Sequence, residues 1–200
     1  MKLVVIVHCW AGVPDSRWYP YVKHELEKSG DYKVEVPAMP STNHPKFDSW
    51  ITKLNNIIGT PNTDLFLVGH SLGGPTIMRY LESLPENVRI GGVVLVAVPT
   101  DTLDNVPAIE DKSVLPDFFG KGVDWKKIKN SAREFIGIYS DNDPYIDVRH
   151  ADVIKEKLEA RIIMKHGLGH MSEPDGEGDT VVVKELPDVV VEIKRMAGIE

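Results

Sequence analysis

The feature that most constrains this chain is Gly69-His70-Ser71-Leu72-Gly73, set between the apolar run Asp64 to Val68 and an amphipathic stretch from Pro75 to Leu84. The pattern predicts a strand that turns directly into a helix at Ser71. A serine in such a turn is forced into a strained backbone conformation. Its hydroxyl stands exposed at the carboxyl end of a sheet, where the free N–H groups of the helix start favour developing negative charge. Gly69 and Gly73 flank it because strand and helix approach too closely there for a Cβ. A βα turn that needs its glycines only for packing is the competing explanation.

The rest of the chain supplies the sheet such a turn requires. Leu3 to Val7, Tyr32 to Val36, Asp64 to Val68, Ile90 to Val98, Glu134 to Tyr139 and Arg161 to Met164 read as six strands. Leu3 to Val7 and Ile90 to Val98 are continuous apolar runs, the signature of parallel strands buried on both faces. Helical patterns over Tyr19 to Lys28, Phe47 to Ile58, Pro75 to Leu84, Asp147 to Leu158 and Asp188 to Met196 alternate with them. That alternation predicts an α/β fold, a three-layer α/β/α sandwich with a mainly parallel six-stranded sheet. Residues 99–130 are the least regular region and are expected to form a short lid; the acidic, glycine-rich segment 173–179 is expected to be mobile. Two hundred residues suit one domain spanning 1–200.

In a parallel sheet the ligand crevice lies beyond the carboxyl ends of the strands. The loops that follow strands are therefore where chemistry is sought. A serine hydroxyl is a weak nucleophile that needs a base, usually a histidine oriented by a carboxylate. Of seven histidines, His70 is expected to pack locally, His24, His44 and His150 to be solvated, and His8 to support the loop after the first strand. His166 and His170 both follow the last strand, where the chain order Ser, Asp, His places a base. His170 is preferred because Gly169 lets its loop aim the ring. The preceding strand ends in Ser140-Asp141-Asn142-Asp143-Pro144. Asp143 is preferred as the acid, Asp141 is its rival, and Asp147 is expected to cap the next helix. An oxyanion needs two N–H donors. Leu72 is one expectation and Trp10 the other, with Cys9 next. Trp10, Phe118, Phe119 and Met171 are the expected walls of a substrate pocket.

A net charge of −7 argues against nucleic acid and anionic membranes as partners. Cys9, the single cysteine, rules out an intrachain disulfide, and no signal-peptide pattern is present, so a cytoplasmic location is expected. No metal-ligand spacing and no phosphate-binding loop are present, and no cofactor is expected.

These residues resemble the α/β-hydrolase superfamily, and within it the small, nearly cap-less branch that includes the retinoblastoma-binding serine hydrolases. The resemblance rests on the first strand with His8, Trp18-Tyr19-Pro20, Met39-Pro40, the Gly69–Gly73 turn, Trp125-Lys126-Lys127-Ile128, Asp143-Pro144 and Gly169-His170. It implies a Ser71, Asp143, His170 triad and a sheet lacking the superfamily's first two strands. A Cys replaces a Gly in the stretch His8-Cys9-Trp10-Ala11-Gly12, beside the expected oxyanion site. The Leu-x-Cys-x-Glu motif is absent, so a retinoblastoma partner does not carry over. The expected activity is hydrolysis of a small carboxylic ester or related acyl bond. A low-turnover binding or regulatory protein, and an amidase or peptidase, are the alternatives.

Overall fold

A computed structural model of the chain describes residues 1–101, 115–119, 122–174, 176 and 178–199. The described residues form six strands, β1 (Lys2–Val7), β2 (Tyr32–Glu35), β3 (Leu65–His70), β4 (Gly92–Val96), β5 (Phe135–Ser140) and β6 (Arg161–Lys165). The helices are α1 (Tyr19–Glu27), α2 (Phe47–Ile58), α3 (Gly73–Ser83), α4 (Leu115–Phe119), α5 (Trp125–Asn130), α6 (Arg149–Leu158) and α7 (Pro187–Ala197). The strands make one parallel sheet in the order β2-β1-β3-β4-β5-β6.

The strand order dictates where the helices go. The chain moves from β1 outward to β2, then reverses and steps across to β6. Right-handed crossovers therefore put α1 on one face and α2, α3, α5 and α6 on the other. The packing agrees: α1 rests on α7, while α2, α3, α5 and α6 form a row in which each touches the next. Covered on both faces, β3 and β4 are buried at every position, and the core runs through Val4 to Val7, Leu65 to Val68 and Val93 to Val98. The edge strand β6 is only partly covered.

Register brings the carboxyl ends into line. Val7 pairs with Gly69, His70 with Val96, Val96 with Ile138, and Ser140 with Lys165. The order reverses between β1 and β3, so the crevice opens beside the loops after these two strands. β3 runs two residues beyond the expected end and carries Gly69 and His70 in the ladder. Helix α3 begins at Gly73 rather than Pro75, so the turn holds only Ser71 and Leu72. Of the expected lid, residues 99–101, α4 and 122–130 are seen; residues 102–114, 120 and 121 lie outside the described residues.

Space explains the glycines of the turn. A Cβ on Gly73 would lie 2.1 Å from the Val7 carbonyl oxygen, and one on Gly69 would lie 2.8 Å from Gly74 Cα. Because the Gly73 obstacle is backbone, it cannot swing aside. Gly73→Ala is expected to lower stability by about 3 kcal/mol, the upper end of ordinary overpacking. The urea unfolding midpoint reads this; an unchanged midpoint would show the turn to be looser than described.

Candidate active site

Ser71 has φ of 50°, the left-handed conformation that a side chain rarely adopts. Its N–H donates to Val96 O at 2.9 Å, which ties the turn to β4. The side chain lies at the sheet's carboxyl edge with the residue 8% exposed. On one side it adjoins the start of α3; on the other, the loop after β1 passes within contact of Gly73.

The loops after β5 and β6 are stitched together residue by residue. Gly167 N–H donates to Asp141 Oδ1 (3.0 Å), Leu168 N–H to Ser140 Oγ (3.0 Å) and Gly169 N–H to Asn142 Oδ1 (2.9 Å). His170 follows, its Nδ1 2.8 Å from Asp143 Oδ2. The other oxygen of Asp143 accepts from Tyr145 N–H and Ile146 N–H, so the carboxylate is oriented before the imidazole meets it. With Nδ1 donating to a carboxylate, the lone pair of His170 sits on Nε2.

The rival residues make the same kind of pair. His166 Nδ1 lies 2.6 Å from Asp141 Oδ2, and that hydrogen bond, with Gly167 N–H, holds the Asp141 carboxyl below its ordinary pKa. Exposure separates the two. The His166 and Asp141 side chains are 84% and 45% exposed, against 9% and 1% for His170 and Asp143. An ion pair in water is screened and weakly oriented; a desolvated one is not.

The His170 backbone is gripped at both ends. Its N–H donates to Asp179 Oδ2 at 3.1 Å, and its carbonyl accepts from His70 Nε2 at 2.9 Å. Gly169 has φ of 53° and Met171 of 50°, so His170 lies between two left-handed residues. Trp18 Nε1–H donates to Met171 O, and Arg17 Nε to Ser172 Oγ. These contacts bind the His170 loop to the start of α1.

Backbone donors can be counted on the loop after β1. Cys9 N–H donates to Tyr19 Oη, Ala11 N–H to Thr42 O and Gly12 N–H to Cys9 O. Among the described residues the N–H groups of Trp10 and Leu72 have no protein acceptor. His8 holds this loop from below, accepting from Met39 N–H at its Nε2.

The expected pocket walls are placed unequally. Phe118 and Phe119 line a cavity of about 60 Å³ with Pro75, Met78, Val123 and Trp125. Phe118 also packs edge-on against Phe47 and Trp50. Trp10 is half-buried beside the core. Met171 is wholly buried, on a left-handed backbone, and offers no surface to a ligand. Two other expectations are corrected. His150 is not solvated: it is buried, with Nδ1 accepting from Thr100 N–H at 3.1 Å. Asp179, in the segment expected to be mobile, is 2% exposed and anchors both His170 N–H and Val181 N–H; Asp175 and Glu177 lie outside the described residues.

With the geometry in place, comparison with known proteins decides the family. The family described as "Serine hydrolase" matches residues 4–183. The chain belongs to the serine hydrolase family. It is similar to the putative hydrolase YdeN of Bacillus subtilis, 28% identical over 186 residues that cover 92% of this chain and 94% of that one. It is also similar to the serine hydrolase RBBP9 of Rattus norvegicus, 21% identical over 169 residues, 84% of this chain and 86% of that one. The crystal structure of the B. subtilis ydeN gene product superposes with a TM-score of 0.86 at 26% identity, covering 99% of this chain and 100% of that one. Est1E from Butyrivibrio proteoclasticus shares the fold, with a TM-score of 0.71 at 12% identity over 98% of this chain and 86% of that one. The hydrolase thus has an α/β-hydrolase fold. Among the described residues no helix is long and apolar enough to cross a membrane.

Buried histidines give this hydrolase a pH signature. Burial, the largest cause in each case, pushes His8 and His150 below the ordinary imidazole pKa and His70 well below it. Each is neutral when folded, while the unfolded chain takes up its proton near pH 6.5. Their contribution to stability is therefore fully present above that pH and is lost as pH falls toward the folded values. Stability should decline from about pH 6.5 downward by up to roughly 1.4 kcal/mol per pH unit for each histidine. Urea midpoints from pH 7.5 to 5 check this, and a flat profile would contradict it.

Proposed function

We propose that this hydrolase cleaves carboxylic esters carrying a small, partly apolar acyl group, through an acyl-enzyme on Ser71. The observation that carries the reading is the buried 2.8 Å contact between Asp143 and His170 on the sheet edge that bears Ser71. Asp143 fixes the His170 tautomer and stabilises the imidazolium. His170 Nε2 takes the Ser71 proton as the oxygen attacks the ester carbonyl. The carbonyl oxygen gains negative charge, and the N–H groups of Leu72 and Trp10 receive it. The protonated base then hands its proton to the leaving alkoxide. Water, activated by the same base, hydrolyses the acyl-enzyme and restores Ser71.

The backbone count supports Trp10 over Cys9 as the second donor, since Cys9 N–H is already committed to Tyr19. The cavity beside Pro75 and Met78, one turn along the helix that starts at the elbow, supports a compact apolar acyl group.

Ser71→Ala is expected to lower kcat for p-nitrophenyl acetate at least about 1,000-fold, with His170→Ala similar. Because the exposed pair takes no part in the proposed proton transfer and Asp141 still accepts from Gly167 N–H without it, His166→Ala should keep wild-type kcat within about twofold. Full turnover by Ser71→Ala would overturn the proposal, and loss in His166→Ala with retention in His170→Ala would reverse the base. A wild-type protein that a fluorophosphonate probe fails to label would instead favour a binding protein on the same fold.

A further inference from the structure

Beneath the elbow runs a buried hydrogen-bond chain that the proposed chemistry does not use, and its direction can be read. The carbonyl of His170 is only an acceptor, so His70 Nε2, 2.9 Å away, carries a proton. Burial first, then the neighbouring His170 and Arg17, hold the His70 ring neutral. Its Nδ1 therefore bears the lone pair, and the Tyr19 hydroxyl 2.7 Å away donates to it. The Tyr19 oxygen accepts in turn from Cys9 N–H at 3.4 Å, with Cys9 Sγ at 3.6 Å. Tyr19 and His70 are 0% exposed and Cys9 4%, so no water competes for these groups. Donation runs one way, from Cys9 N–H to Tyr19, from Tyr19 to His70, and from His70 to His170.

The three residues at the joints belong to three different structural elements. Cys9 precedes Trp10 in the loop after β1, His70 ends β3 and precedes Ser71, and His170 lies in the loop after β6. We propose that Tyr19 and His70 are positioning residues, a directed relay that sets the backbone of the base loop and of the oxyanion loop against the nucleophile turn. The inference rests on the function proposed above and deepens it. Neither residue touches the reacting atoms. A ring pair 5.2 Å apart, His70 and His170, also requires that His70 stay neutral when His170 takes the serine proton, because two imidazolium rings at that distance repel.

A simple space-filling role predicts that any substitute of similar size will do, whereas a directed relay does not. The amide nitrogen of Gln can stand where Nε2 stands and donate to His170 O. The shorter Asn can replace only Nδ1, accepting from Tyr19 and leaving His170 O without a donor. His70→Asn and Tyr19→Phe are therefore expected to lower kcat for p-nitrophenyl acetate by about 10- to 100-fold with KM within about threefold, the scale of a misplaced catalytic group. His70→Gln should retain at least about fivefold more kcat than His70→Asn. Equal loss in the Asn and Gln variants, or wild-type kcat in Tyr19→Phe, would overturn the relay.

A second measurement does not depend on turnover or on a folded variant. Nitrogen-15 NMR of the wild-type imidazoles should show His70 neutral, protonated at Nε2 with a slowly exchanging proton, at pH 7. The opposite tautomer, or a charged ring, would overturn the relay even in an active enzyme. The same spectrum in a protein that hydrolyses no ester would leave the relay standing and sink the proposed function instead.

Discussion

The chemistry of this molecule depends on how closely the first turn of α3 lies against the ends of β1 and β3. Where Gly73 meets the Val7 carbonyl there is no room for a methyl group. That closeness leaves the chain only two residues, Ser71 and Leu72, in which to change from strand to helix. Ser71 takes the strain as a left-handed φ. Among the described residues the N–H of Leu72 and that of Trp10, in the adjacent loop, have no protein acceptor. The two-residue turn and the left-handed Ser71 are thus consequences of one packing constraint.

A parallel sheet does the rest by topology. All its carboxyl ends lie along one edge, so residues far apart in sequence meet there without long connections. Burial then selects among them. Two acid–histidine pairs bridge the loops after β5 and β6, alike in composition and spacing, and only Asp143–His170 is desolvated. The exposed Asp141–His166 pair helps fasten the two loops through Gly167. One loop junction therefore carries a fastening pair on its outside and the proposed catalytic pair within.

Much of this was legible in the sequence, for reasons that can be named. Strand and helix periods are local, and the Gly69–Gly73 turn announces itself because steric closeness demands glycine. The order Ser71, Asp143, His170 follows from the order of the strands. What escaped was set by contacts between distant segments. Tyr19 meets His70 across 51 positions, and nothing in a Trp-Tyr-Pro helix start announces a buried hydroxyl aimed at an imidazole. Asp179 sits among glycines and acids whose composition reads as solvated, yet Gly169 leaves just enough space for its carboxylate to reach His170 N–H. Met171, an expected pocket wall, is wholly buried, with a φ of 50° that neighbouring letters do not disclose.

In the proposed chemistry Ser71 carries the acyl group between two half-reactions. Rapid-quench mass spectrometry during p-nitrophenyl acetate turnover, with peptide mapping, tests it most directly. The expected result is a burst of p-nitrophenol and a transient acetyl group on the peptide containing Ser71. Turnover with no acetylated intermediate in His170→Ala or wild type, or an acetyl group accumulating on Cys9 or a histidine instead, would contradict it.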